Sequence, residues 1–386
     1  MLNQIPRGNS KRWLNIWLGI ALSCFSVSSL AQEFEPLFNG KDLTGWVLVN
    51  TPPDTWKVDD GMLICSGRPI GEMRTEKMYQ NFELEVEWRH LVPKGNAGIF
   101  VWADDITARG VPFHRGIEVQ VLENAYGNTR SYSTHGDIFP IHGAKMTPIN
   151  GRGGDRAFPT EERSKPSPEW NHYRIVCQDG NIALSVNGKE VTRGTRASPS
   201  KGYLCIESEG GVVHYRNMKI KVLPDTPIDE SQIAVADRGY RSIYSGLDLR
   251  DWKSSDVTSW KVNDWILDHS PSTAGSQSSL TYNKQKPLNG FVMDFRLPDA
   301  NSTVSLQVPG VGKPVIISKD TPEIGESLVQ RGGWNRIEGT ITQQSGQATL
   351  VLNINGKNST LQSESTAQAL MIECSGKVSL ANLYVR

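Results

Sequence analysis

The sequence predicts an all-β protein built as two β-sandwich domains in tandem, the second a shortened, degraded copy of the first. Three observations carry this. Strand-length stretches alternate apolar and polar residues with period two and stop at Gly, Asn and Asp turn pairs. The content of 36 Gly and 21 Pro in 386 residues suits many short strands and turns rather than long helices. Four sequence blocks also recur in the same order in the two halves, and the length exceeds what one hydrophobic core usually supports.

Taken in order, the chain opens on a basic leader of Arg7, Lys11 and Arg12, followed by the apolar run Trp13–Ser28 and the small-residue site Ser29-Leu30-Ala31. This pattern predicts a signal peptide over residues 1–31 with Gln32 as the mature start. The run is short for a membrane span of about 20 residues, so the expectation is export to the periplasm or medium, with no membrane span in the mature chain. In Asn81–His90, Phe82, Leu84, Val86 and Trp88 alternate with Glu83, Glu85, Glu87 and Arg89, the pattern of a half-buried strand with a solvated face. Gly116–Leu122 alternates Ile117, Val119 and Val121 with Glu118 and Gln120. His172–Gln178 and Asn181–Val186 flank Asp179-Gly180, a pair suited to a tight hairpin turn, and Asn187-Gly188 supplies the next. Gly202–Glu207 and Val212–Val222 complete a first domain over 33–223. Residues 224–237, rich in Pro and acids, read as a linker to a second domain over 238–386.

The repeat is explicit. LFNGKDLTGW (Leu37–Trp46) matches IYSGLDLRDW (Ile243–Trp252), and Trp56-Lys57-Val58 matches Trp260-Lys261-Val262. EWNHYRIVCQDGNIALSVNGK matches GWNRIEGTITQQSGQATLVLNINGK, and YLCIESEGGVVHYRNMKIKV matches LMIECSGKVSLANLYVR. The stretch from Phe291 to Trp334 is about half as long as that from Phe82 to Trp170. What is missing corresponds to the segment holding Glu118, Gln120, His135, Asp137 and His142. Every histidine except His269 precedes the linker, so any chemistry is expected in the first domain.

Charge and cysteine content exclude other classes. With 41 basic and 41 acidic residues the net charge is +0, which argues against a nucleic-acid partner. Of 5 Cys, Cys24 lies in the leader, and Cys65, Cys177, Cys205 and Cys374 form no Cys-x-x-Cys site, so at most one disulfide is expected.

LFNGKDLTGW, WKVDDGMLICSG, GNAGIFVW, GIEVQVLEN, EWNHYRIVCQDGNIALSVNGKEV and HYRNMKIK together resemble the 3-keto-disaccharide hydrolase family, over about Glu33 to Leu223. Tyr132–Pro148 resembles the middle segment of one subgroup of it. The resemblance implies a concanavalin- or glucanase-like jelly roll in each domain and action on carbohydrates oxidised at C3. A ketone at C3 acidifies the C2 proton; a base removes it, and the enolate expels the C1 substituent, with water addition giving net hydrolysis. No G-x-G-x-x-G fingerprint for a nicotinamide cofactor is present.

Within that frame Glu118, His135 and Asp137 are the candidate catalytic residues, and Asn96, Trp102, Gln120, His142 and Arg216 the candidate sugar-binding ones. Glu118 and Gln120 lie about 7 Å apart on one strand face. His135, Asp137 and His142 suit proton transfer near neutral pH or, as an alternative, a divalent metal. Trp102 either stacks on a pyranose or fills the core. His214 and Arg216 share strand parity with Met218 and Ile220 and so point into the groove, unless Arg216 pins a neighbouring strand. His114 reads as a rim residue. An ordinary glycosidase pair of Glu118 and Glu123 needs a bulge, because these positions face opposite ways. The rival class is a tandem glycan-binding, lectin-like protein without chemistry.

Overall fold

The computed structural model describes Met1 and residues 33–386, apart from 127–134, 237, 274, 285–287, 319–328, 331, 345–346 and 365–368. The signal-peptide reading of 1–31 lies outside the described residues. In the first half, two antiparallel sheets stack. The larger has nine strands and runs in the order Lys145–Pro148, Lys189–Ser198, Asn181–Val186, Asn171–Gln178, Phe82–His90, Val213–Val222, Met62–Cys65 and Trp56–Asp59, with Glu35–Pro36 beside Val213–Val222. The smaller has six, in the order Trp46–Val49, Gly71–Thr75, Tyr203–Ser208, Asn96–Ala103, Gly116–Leu122 and Ile138–Ile141.

Alternation decides which residues meet between the sheets. Phe82, Leu84, Val86 and Trp88 pack inward against Ile117, Val119 and Val121 of the facing sheet. Their neighbours Glu83, Glu85 and Glu87 stay on the outer face, paired with Arg174, Lys219 and Arg216. The Asp179-Gly180 hairpin takes φ 52° and 73°, the left-handed values its tight turn requires.

The second half repeats this order. Its larger sheet runs Trp260–Asn263, Ile266–His269, Val378–Val385, Gly290–Arg296, Asn335–Gln344, Gln347–Ile354 and Lys357–Glu364, with Arg241–Ser242 alongside. Its smaller sheet runs Trp252–Ser254, Gln277–Tyr282, Met371–Ser375, Thr303–Gln307 and Val315–Ile317. Among the described residues, Lys145–Pro148 and Ile138–Ile141 have no counterpart there. Helix is confined to three-residue turns among the described residues, and Cys65, Cys177, Cys205 and Cys374 are all buried free thiols.

Residues 224–236 do not hang between the halves. Ser200 donates its N–H to Gln232, Ala234 to Lys201 and Asp105 to Val235. Glu33–Arg386 forms one compact unit. The outer face of the second sandwich's larger sheet lies against the Asp104–Arg115 loop of the first, where Ile106 and Val49 pack on Tyr240, Val292 and Tyr384.

Two β-bulges break the alternation and correct two sequence expectations. Trp102, at φ 56°, sits in a register shift opposite Tyr203 and Cys205, which turns its ring away from Asn96, Gly98 and Phe100 into the core. There it packs edge-on against Phe82 and donates Nε1–H to the Gln80 carbonyl at 2.9 Å, so it is not a sugar platform. Asn217, at φ 51°, sits in the shift between Arg216 and Lys219. Beyond it Met218 and Ile220 point into the core, while Arg216 lies outside, paired with Glu87 and stacked 4.0 Å over the Trp170 ring. Arg216 thus pins the outer face of the larger sheet and does not line the face that carries Glu118. His214 is on the same side as Arg216, 3.3 Å from Arg89.

Candidate functional site

The outward face of the six-stranded sheet has two parts. In one, Phe100, Ala103, Tyr203 and Cys205 form a small apolar core with Phe113 and Ile141, roofed by the Asp104–Arg115 loop. In the other, carboxylates gather. Glu118 and Gln120 from Gly116–Leu122, Asn96 and Gly98 from Asn96–Ala103, and Glu207 from Tyr203–Ser208 project from adjoining strands, and Glu209 follows just beyond.

Gly98 makes the cluster possible. A Cβ there would lie 2.9 Å from Glu118 Oε1 and 3.0 Å from Glu207 Oε2, so the two carboxylates flank one point above a bare backbone. Gln120 donates to the Asn96 side-chain oxygen at 2.8 Å, and the Asn96 amide donates to Glu209. This relay fixes the one carboxylate of the group that stays half-buried. Burial, reinforced by the Glu209 charge and opposed by Arg156, raises the Glu118 carboxyl well above the usual range. Glu207 is raised by burial and by its neighbours Glu118 and Glu209. Burial also raises Glu209, to about 7, against the hydrogen bonds from Glu207 and Asn96. The site therefore sets Glu118, which burial pushes toward its protonated form, beside a carboxyl that titrates near neutrality, the division of labour acid–base catalysis uses.

Asp137 joins the cluster indirectly. Its carbonyl accepts from Gln120 N–H at 3.0 Å, and its buried carboxylate receives Arg156 Nη1–H at 2.8 Å. Arg156 lies 3.4 Å over the Phe139 ring, the cross-strand partner of Glu118. Asp137 is thus consumed by Arg156 and positions that cation. His135 is buried on the flank, with Nδ1 3.2 Å from the Leu122 carbonyl, a backbone tether rather than a place in the carboxylate group. His142 is exposed and stacks on Phe113, 6.4 Å between rings. His135, Asp137 and His142 therefore do not converge as a metal site. Each follows a different anchor: a carbonyl, a guanidinium and an aromatic ring.

Glu123 is structural. It accepts the N–H groups of Lys94, Ala125 and Ser167, which with other contacts hold its carboxyl low despite its burial. A Glu118–Glu123 glycosidase pair is thereby ruled out by geometry. His114 is not a rim residue. It is fully buried, with Nδ1 against a Glu72 carboxylate oxygen and 3.7 Å from Cys205 Sγ.

Sequence reasoning missed Glu207, Glu209, Glu72 and Arg156. A signal for one of them existed: ESEGG of the first half aligns with ECSGK of the second half, so Ser375 stands where Glu209 stands, whereas Glu373 matches Glu207. In the second sandwich Glu373 pairs with Ser305, and Ser305 with an exposed Ile316, so no carboxylate group assembles on those strands.

Gly98→Ala is expected to keep the fold, since the added methyl meets flexible side-chain ends. It should nonetheless reduce turnover roughly 10- to 100-fold by forcing Glu118 and Glu207 apart. Steady-state kinetics beside a thermal melt checks this; unchanged kinetics would remove the carboxylate pair from the site.

The first sandwich matches known proteins. Residues 33–221 fit the family model of the 3-keto-alpha-glucoside-1,2-lyase-like domain. Among solved structures, a candidate glycosyl hydrolase from Parabacteroides distasonis is 24% identical, with a TM-score of 0.38, over 50% of this chain and 94% of that one. A β-1,3-1,4-glucanase (lichenase) from a mouse hindgut metagenome is 16% identical, TM-score 0.33, over 50% of this chain and 99% of its own. A carbohydrate-binding module from Bacillus subtilis is 10% identical, TM-score 0.33, over 46% and 96%. No curated protein matches the chain. Over residues 33–221 the first sandwich is thus similar to the 3-keto-alpha-glucoside-1,2-lyase-like domains that this family model describes.

Proposed function

We propose that the first sandwich cleaves 3-keto-glycosides by elimination. The observation that carries this reading is the pairing of Glu209, whose carboxyl titrates at about 7, with Glu118, buried on the same sheet face and pushed by that burial toward its protonated form. Glu209 takes the C2 proton of the keto sugar, and the C2–H electron pair forms the enolate with the C3 oxygen. The enolate then collapses toward C1, the C1–O bond breaks with its electrons, and Glu118 donates its proton to the departing oxygen. Arg156, held by Asp137 and Phe139, supplies positive charge beside Glu118. Asn96 and Gln120 hold Glu209 in place. Addition of water to the unsaturated product gives net hydrolysis.

A cleft of about 380 Å³ reaches Glu209, bounded by Arg68, Ile70, Val92 and, from the second sandwich, Asp264. On this reading the second sandwich completes the wall of the cleft without contributing to the chemistry. The leader over 1–31 makes the enzyme an exported one, working in the periplasm or outside the cell.

The test is to incubate the purified protein with a 3-keto-disaccharide and with its unoxidised parent. Release of the second sugar from the keto form alone is expected. Saturable binding of the parent with no product from either would replace the enzyme by the glycan-binding reading.

A further inference from the structure

Beneath the Asp104–Arg115 loop, and apart from the reacting carboxylates, lies a second group of side chains that the proposed reaction does not use. Glu72 comes from Gly71–Thr75, Cys205 from Tyr203–Ser208, and His114 from the end of the loop. One ligand atom from each lies within 4.8 Å of the others, and all three residues are 0% exposed. His114 Nδ1 and Cys205 Sγ are 3.7 Å apart, the spacing of two ligands on one tetrahedral zinc ion, about 3.5 Å at bond lengths of ~2.0 Å to nitrogen and ~2.3 Å to sulfur.

Two independent features point to an occupant. Glu72 Oε1 has no hydrogen-bond partner although the residue is completely enclosed. A native interior rarely leaves a carboxylate oxygen so enclosed, since it forfeits its hydration without replacement. The charges also match: one carboxylate, one thiolate and one neutral imidazole are balanced by a single divalent cation, leaving a dry site with no net charge. We propose that Glu72, His114 and Cys205 bind a thiophilic divalent cation, zinc above all, which staples the Asp104–Arg115 loop to the sheet that carries the carboxylates. A thiolate with an imidazole selects zinc over calcium or magnesium, which prefer all-oxygen shells. Arg74, on the Glu72 strand, donates Nε–H to the Asp105 carbonyl at 2.9 Å, so the loop is already tethered at its other end. The cation closes it at His114.

The full chain, purified without chelator, is loaded with zinc, dialysed and assayed for bound metal. One zinc per chain is expected, with at least tenfold less retained by Cys205→Ser and Glu72→Gln. Cobalt(II) in place of zinc is expected to give a thiolate-to-metal charge-transfer band that Cys205→Ser abolishes. Because a buried substitution can unfold the protein, the wild type is also melted with zinc and after chelation, and its melting temperature should fall by several degrees on chelation. Equal zinc in the wild type and both folded variants would overturn the proposal by placing the ion on other residues. A metal-free wild type whose melting temperature ignores both zinc and chelator would overturn it as well.

Discussion

Glu209→Gln is expected to lower turnover of a 3-keto-disaccharide by roughly 100- to 10,000-fold, the usual contribution of a positioned general base. The substitution keeps size and the hydrogen bond to Asn96 but removes the group that accepts the proton. Its pH signature is more specific than its magnitude. The base works only when ionised, so wild-type kcat/KM should climb with pH and level off above about 7, where Glu209 has lost its proton. In Glu209→Gln that limb should vanish. The carboxylates facing Glu209 are Glu207, Glu118 and Glu72, with the Asn96 amide on its open side and Arg156 beyond Glu118. Burial pushes the Glu118 carboxyl upward, the direction that favours its acid form.

The same group has a stability consequence of opposite sense. The folded chain keeps the Glu209 proton up to about 7, whereas the unfolded chain releases it near the ordinary carboxylate value of 4.5. The folded state therefore binds the extra proton between those values, and stability falls as pH rises across them. The contribution is complete below the unfolded value and lost above about 7. Melting curves from pH 5 to pH 8 should show this decline in the wild type and a shallower one in Glu209→Gln. An unchanged rate profile with a flattened stability profile would mean that Glu209 is buried as described but is not the base.

Much of this architecture was legible in the sequence because alternation and turn pairs are local signals. The strands around Phe82–His90 and Gly116–Leu122 follow from period two, and the outward pairing of Glu118 with Gln120 follows from the same rule. The misplacements of Trp102 and Arg216 share one cause. A bulge adds a residue to one strand and reverses the facing of everything beyond it, and its origin lies in the neighbouring strand. Asn217 carries a weak local hint, since asparagine tolerates positive φ; Trp102 carries none. The carboxylate cluster was harder still. Glu207 and Glu209 lie far along the chain from Glu118, and only the pairing of Tyr203–Ser208 with Asn96–Ala103 brings them onto one face. His135 and Asp137 look catalytic as a short motif, yet their partners, the Leu122 carbonyl and Arg156, are fixed by tertiary packing.

Asp294→Ala is expected to destabilise the chain by roughly 3–5 kcal/mol, although Asp294 lies in the sandwich without the carboxylate cluster. Asp294 is fully buried and accepts four hydrogen bonds: Arg336 Nε–H at 2.7 Å, Arg336 Nη2–H at 2.8 Å, Asn382 Nδ2–H at 2.6 Å and the Gly110 N–H at 2.8 Å. Gly110 belongs to the loop of the first sandwich, and its neighbours are gripped too. Asn382 donates to the carbonyls of Ala108 and Val111, Arg336 to that of Thr107, and the Thr107 and Tyr384 hydroxyls meet at 2.8 Å. Removing the carboxylate leaves a buried guanidinium without its counter-charge, the costly half of a broken ion pair. On the matching outer face of the first sandwich, Glu85 meets Lys219 and His172 in partial exposure. Glu85→Ala should therefore change stability by about 0–1 kcal/mol. The two outer faces thus differ: the first carries solvated salt bridges, the second a buried clamp on the loop that delivers His114. Hydrogen exchange of the Gly110 amide should accelerate in Asp294→Ala and not in Glu85→Ala. A melting temperature as high in Asp294→Ala as in the wild type, with Gly110 still protected, would show that the clamp is not what joins the two halves.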